Sequence, residues 1–231
     1  MNELEQQRSV ARVLDVLTGS HEPLTLTDLA GRADRLLDGA GASVTVGGDL
    51  RHGGVLSTVS STGLATVGED LQATLGEGPG YTAHRTGNAI AAGHLVDDPT
   101  WVMFGHAAAH QDIGGVFAFP LRGARATLGA LTLYRRRPGD LTADQHDDAT
   151  TLATFVTGYV TQDHREEVLL AAEPEISAAN QAIGMVSAQL QVDVLAALAL
   201  LRAHALATDR SLHAVARDVV ARRLTLEHPQ R

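Results

Sequence analysis

Cysteine is absent from this chain. That excludes disulfides, thiolate nucleophiles, iron–sulfur clusters and cysteine-based zinc sites, and it leaves no thiol for a thioether-linked cofactor. Lysine is absent too, since all 18 basic residues are arginine. No Walker lysine and no Schiff base can form. Aromatic residues are scarce: one Trp, three Tyr and four Phe, none of them between residues 175 and 231. No apolar run approaches the ~18 residues a membrane-spanning helix needs. The first 20 residues are amphipathic with early acids, unlike a secretory signal, so a cytoplasmic location without membrane contact is expected.

What is present fits a folded protein. The chain has 231 residues, 44% hydrophobic and 19% charged. At ~100–200 residues per domain it holds one large domain or two modest ones. The net charge of −9 is unevenly spread. Residues 175–231 carry six Arg against five acids, whereas residues 1–174 carry 12 Arg against 22 acids. An acidic body with a near-neutral, arginine-bearing tail points to two modules.

Periodicity gives the elements. Leu4, Val10, Val13, Leu14 and Leu17 lie near one stripe of a helix over residues 3–18, with Gly19 at its end. Thr25 with Asp28 forms a capping-box pattern that opens a second helix through Leu37. The pattern then turns strand-like at Ala42–Val46 and Gly54–Ser60, with Gly47-Gly48 and Gly53-Gly54 as turn signals. Leu64–Leu75 is helical, and GEGPG at residues 76–80 is a turn cluster. A strand is expected at Ala89–Leu95, a helix at Trp101–His110, and strands at Val116–Leu121 and Ala126–Arg135. Thr142 with Gln145 is a second capping box, opening a helix through Val160 and as far as Leu170. The order predicts an α+β fold with an antiparallel sheet covered by helices.

The remainder reads as three helices. Pro174 suits a first turn. Ile176, Ala179, Ile183, Val186 and Leu190 form a seam at spacings of three and four. Asp193 caps a helix containing Leu195, Leu198, Leu201 and Ala205, and Leu212, Val215, Ala216, Val219, Val220 and Leu224 give the last helix one apolar face. The seam, with Leu152, Phe155 and Tyr159 upstream, exceeds what so small a bundle must bury and predicts a homodimer through the helix that follows the sheet.

The C-terminal stretch from Ile176 to Leu224 resembles the ANTAR domain, an RNA-binding antitermination module. The resemblance is carried by Ala182, Gly184, Met185 and Val186 in AIGMV, by Ala197, and by Leu201, Arg202 and Ala205 in LLRAHAL. It continues through Asp209-Arg210-Ser211-Leu212 to Val215-Ala216 and Val219-Val220. Ile183 stands where that family often has Lys, and Ala196 where it usually has an acid. Residues from about 20 to 160 resemble a GAF sensor domain in LGEGPGYTAHRTG (75–87), WVMF (101–104), GGVFAFPLR (114–122) and LGALTLYRRRPGDLT (128–142). The Asn-Lys-Phe-Asp type motif of cyclic-nucleotide-binding GAF domains is absent, and there is no cysteine to hold a bilin. Together the resemblances imply a GAF-like antiparallel sheet flanked by helices and then a small all-α ANTAR bundle. The implied boundaries are an N-terminal helix (1–20), a sensor domain (21–163), a helical linker (164–174) and an RNA-binding domain (175–226).

The implied activity is non-enzymatic: transcription antitermination by binding a hairpin in nascent RNA, under control of a signal sensed by the GAF part. The alternative is a small-molecule sensor that acts through protein contacts, with its C-terminal helices used for dimerisation. For RNA the candidate residues are Arg202, Arg210, Arg217, Arg222 and His204, since Arg supplies both charge and a flat stacking face where aromatics are lacking. For a ligand they are Tyr81, Trp101, Phe104, Phe117 and Phe119, around a cavity between the sheet and the Tyr81–His110 connection. Otherwise Trp101 and Phe104 simply fill the core. No catalytic constellation, resident cofactor or metal site is expected: His106 and His110 share a helix face, but a third ligand is not visible. GEGPG lacks the Lys and Ser/Thr of a phosphate loop and reads as a turn, and Arg135-Arg136-Arg137 reads as a strand end facing water.

Overall fold

The structure is a computed structural model that describes residues 3–18, 24–47, 56–161 and 174–227. Helices α1 (Glu3–Thr18) and α2 (Leu26–Leu36) precede strands β1 (Gly41–Gly47) and β2 (Leu56–Ser60). Then come α3 (Gly63–Leu75), α4 (Pro79–Thr86), β3 (Ile90–Ala92), a 3₁₀ turn (Leu95–Asp97) and α5 (Val102–Ala109). Strands β4 (Gly115–Arg122) and β5 (Thr127–Arg135) lead into α6 (Ala143–Thr161). The described chain closes with α7 (Pro174–Leu190), α8 (Val194–Ala207) and α9 (Leu212–Val220). Gly19, the Gly48 and Gly53-Gly54 turn signals, Leu170 and the linker up to residue 173 lie outside the described residues.

The strands form one antiparallel sheet in the order β2-β1-β5-β4-β3. Alternation along the strands decides what each face meets. Val44, Phe117, Phe119, Leu131 and Leu133 point to one side, where α1, α2 and α6 cover them with Leu29, Ala33, Leu152 and Val156. Val116, Ala118, Ala130 and Tyr134 point to the other, towards α3, α4 and α5. The sheet is thus the middle of three layers, and the fold is α+β as expected.

Both capping boxes form. The Thr25 side chain accepts from Asp28 N, and Asp28 accepts from Thr25 N at 3.0 Å. Thr142 and Gln145 make the same reciprocal pair at 3.0 and 3.2 Å. Strand β3 is shorter than the sequence predicts, because the chain turns away at Gly93, whose carbonyl accepts from Gly139 N at 2.8 Å. Helix α1 is clamped to α6 by Arg12, whose guanidinium donates to both oxygens of Asp148 at 2.8 Å.

The C-terminal helices enclose a core of their own. Ala182, Val186, Ala197, Leu201, Ala205 and Val215 are each 0% exposed. The apolar surplus that predicts a dimer is covered within the chain. Leu152 is buried in the first core, with Phe155 and Tyr159 packed on it. Ala179, Val186 and Leu190 are buried in the bundle, and Ile183 packs against it. Of this seam only the Ile176 side chain lies outside the described ones.

Candidate functional site

On the face of the sheet turned towards α3 and α4, alternation places hydroxyl groups where the other face has Val and Leu. Ser43 and Thr45 of β1 and Thr132 of β5 stand there, Ser43 directly paired with Thr132 across the ladder. Above them α3 contributes Glu69 and Gln72, three residues apart and so on one side of the helix. The Glu69 carboxylate accepts from Tyr134 Oη at 2.7 Å, from Ser43 Oγ at 2.5 Å and from Thr45 Oγ1 at 3.4 Å. Gln72 is fully buried, donates to Tyr134 Oη at 2.8 Å, and accepts from Gly80 N of α4 at 2.8 Å. Burial, reinforced by the Glu69 charge, holds the Tyr134 phenol well above its ordinary pKa.

Thr45, Glu69, Gly80, Tyr81, His84, Ala130 and Thr132 surround a cavity of about 10 Å³. That is room for about one water molecule. The Thr132 hydroxyl is buried and has no hydrogen-bond partner among the described residues. Buried polar atoms are nearly always paired, so an orphan of this kind marks a place where something else completes the bonding. A ligand larger than water requires one wall to move.

Tyr81 has a second side. The Arg202 guanidinium of α8 lies over its ring, Cζ 5.8 Å from the centroid, and Nη2 donates to its hydroxyl at 3.4 Å. Burial raises the Tyr81 phenol, and the Arg202 charge draws it partly back. Arg202 Nε donates to the carbonyl of Ala73 in the last turn of α3 at 2.8 Å. Such carbonyls lack an intrahelical partner and sit at the negative end of the helix dipole, where a cation is favoured. Next to it Gly76 closes α3 in the left-handed region at φ 70, and a Cβ there would fall 2.7 Å from Arg202 Nη1. The missing side chain makes room for the arginine.

The same helix supports α9. Thr74 Oγ1 accepts from Leu212 N at 2.9 Å, satisfying a free N–H at the start of α9. Asp70, one turn earlier, pairs with His213. Arg202 thus caps α3 while Thr74 caps α9, and Ala73 packs against the bundle core between them.

The residues expected to line one ligand cavity do not converge. Only Tyr81 reaches it. Trp101 and Phe104 are 7% and 0% exposed in a core with Leu95, Ile113 and Tyr134. Phe117 and Phe119 point to the opposite face, Phe117 under Arg135 and Phe119 edge-on to His146. The correction has a simple cause: with few aromatics available, the largest side chains fill the two main cores. Among the basic residues, Arg202 faces the sensor part and His204 is half-buried. Arg210 pairs with Asp218 at 2.6 Å, as does Arg223 at 2.7 Å, and these bonds hold the Asp218 carboxyl below its ordinary pKa. Arg217 and Arg222 are exposed at the C-terminal end of α9. Among the described residues, no cluster of three His, Asp or Glu side chains suits a metal ion. Arg135–Arg137 edge an open groove of about 340 Å³, with Arg136 3.8 Å from Asp112.

Glu69, Gln72, Thr132, Asp70 and Thr74 are absent from the sequence-derived candidates. The one available signal was spacing: 69 with 72 and 70 with 74 each mark one side of α3.

No protein-family model matches this chain, and no curated protein matches it. Solved structures do. The GAF domain of a phosphoenolpyruvate-protein phosphotransferase from Coxiella burnetii is similar with a TM-score of 0.51 at 16% identity, covering 72% of this chain and 98% of that one. The GAF domain of the Acinetobacter phosphoenolpyruvate-protein phosphotransferase gives a TM-score of 0.44 at 11% identity, covering 71% and 97%. The first of these likenesses establishes the GAF fold for the five-stranded sheet and its flanking helices.

Proposed function

We propose that this chain is a non-enzymatic, cytoplasmic regulator in which a GAF-fold sensor controls an RNA-binding bundle of the ANTAR kind, acting by antitermination on a hairpin in nascent RNA. One observation carries the reading. The residues that resemble the ANTAR motifs assemble into a single three-helix unit, with Ala182, Val186, Ala197, Leu201, Ala205 and Val215 as its core. That unit leaves Arg217, Arg222 and the Asp218-paired Arg223 exposed at the C-terminal end of α9. The acidic body repels a polyanion, so RNA contact belongs at that end, through charge and guanidinium stacking. Signal sensing belongs to the Thr132–Tyr81 cavity.

The test is binding of the full chain to a library of hairpin RNAs at two salt concentrations. Saturable binding that weakens with salt supports the reading, and its absence overturns it. The exposed Val194, Leu195 and Leu206 on α8 favour a second reading, output through a protein partner. In that case Leu195→Glu abolishes output in cells while RNA binding is nil.

A further inference from the structure

We infer that the contact of α3 with α8 and α9 is a reversible latch, and that Tyr81 carries the state of the sensor cavity into it. The inference rests on the sensor reading of the cavity and is independent of RNA binding.

Beside the packing of Ala73 and a small contact of α7 with β2, the contact is held by polar groups that water can largely satisfy once it opens. Arg202 caps the α3 carbonyl of Ala73, and Thr74 caps the α9 N–H of Leu212. His213 adds a polar pair with Asp70. Ends of helices lose little on exchange with solvent, unlike a broad apolar face, and interfaces of this kind open and close.

The cavity and the latch share one movable wall. Its strands β1 and β5 are fixed by the ladder between them. Helix α3 is fixed by the bonds of Glu69 and Gln72 to Tyr134. Helix α4 is different: it has eight residues, and its N-cap Gly78 has no side chain to cap it. A single bond from Gly80 N to Gln72 Oε1 ties its first turn to α3, and positive-φ glycines, Gly78 and Gly87, flank it as hinges. It carries Tyr81, which lines the cavity on one side and holds Arg202 on the other. A small polar molecule that bonds the orphan Thr132 hydroxyl needs more than 10 Å³, and it gains that space by moving α4. Arg202 then loses the ring and hydroxyl of Tyr81 and keeps only the Ala73 carbonyl, which weakens the latch and shifts the bundle towards release.

The experiment uses the absence of cysteine. Nitroxide labels on Ala143→Cys and Ala207→Cys, both exposed, report the sensor–bundle distance by double electron–electron resonance in the full chain. The otherwise unsubstituted chain is expected to give one narrow population. Thr74→Val and Arg202→Ala are expected to add a longer, broader one. Gly80→Ala puts a Cβ 3.0 Å from Thr132 Oγ1 and 3.1 Å from the Gln72 amide, pressing α4 away from the sheet and from α3, and Ala130→Leu fills the cavity more fully. Both are expected to lengthen the distance with unchanged far-ultraviolet dichroism. If the two latch variants keep the narrow population, the latch is wrong. If they open while folded Gly80→Ala stays closed, Tyr81 does not transmit and the inference fails. Should Ala130→Leu not fold, Gly80→Ala alone decides. No RNA is present, so failure of the hairpin assay leaves this result untouched.

Discussion

Arg202 Nε stands 2.8 Å from the carbonyl oxygen of Ala73, so an arginine of the C-terminal bundle closes the end of a sensor helix. The pair is charge-assisted and lies at the negative end of the α3 dipole. Arg202→Ala should therefore cost ~1–2 kcal/mol, read as a lower urea midpoint. Arg202→Lys should recover only part of it, because a lysine lacks the flat face that covers Tyr81.

Opening the latch without touching a basic residue separates masking from direct contact. Thr74→Val removes the acceptor for Leu212 N and leaves all 18 arginines in place. Hairpin affinity should rise in a filter-binding titration. Unchanged affinity would mean that the docked bundle already presents its full RNA surface.

At the C-terminal end of α9, Arg222→Ala and Arg217→Ala should each weaken hairpin binding and flatten the log–log salt slope by about one. The check is a titration at three salt concentrations. Slopes equal to the parent's would place the RNA elsewhere.

Tyr134 makes stability sensitive to alkali. Its phenol is held neutral well above its ordinary range, so above about pH 10 the folded chain binds a proton that the unfolded chain has lost. The stabilisation is whole below that pH and disappears as pH climbs towards the raised folded value. Tyr134→Phe should flatten this alkaline fall. It should also cost ~1–3 kcal/mol at neutral pH, because Glu69 loses a donor and Gln72 an acceptor. Urea melts at pH 8 and above pH 10 measure both.

Arg12 spans α1 and α6, and the Asp148 it holds is 4% exposed. Arg12→Ala strands that carboxylate and should destabilise by ~1–3 kcal/mol, discounted for the partly exposed arginine. Asp148→Asn in the same chain should restore part of the loss. Thermal melts of the two single variants and the double variant give the coupling.

The homodimer predicted through the helix after the sheet loses its argument once those apolar groups are covered; the exposed apolar groups of α1 make a separate prediction. Leu4, Val10 and Leu14 of α1 are 67%, 39% and 48% exposed. Light scattering at micromolar concentration should give twice the chain mass, and Leu14→Glu should give the monomer.

The fold was legible where its signals are local. Both capping boxes, the strand alternation around Phe117 and Leu131, and the apolar stripe of α9 each lie within a few residues of sequence. The site was not, because it is assembled from β1, α3, α4 and β5. Nothing local separates Thr132, which faces a cavity, from any other strand threonine. Trp101 and Phe104 misled for the opposite reason: large apolar groups suit a cavity wall and a core equally. Arg202 stood out in the sequence as an arginine of the C-terminal helices, but the sequence could not say that it meets the sensor rather than RNA or water.

The GEGPG turn divides labour residue by residue. Gly76 leaves room for Arg202, Glu77 accepts from Phe104 N at the start of α5, and Pro79 opens α4. One consequence concerns chimeras. Grafting the C-terminal helices onto another sheet-bearing sensor would transplant Arg202 without its socket, and a side chain at the position of Gly76 would collide with it. The transferable unit is the bundle together with α3 and this turn, and hybrids cut between residues 161 and 174 should be uncoupled unless the recipient's turn is replaced as well.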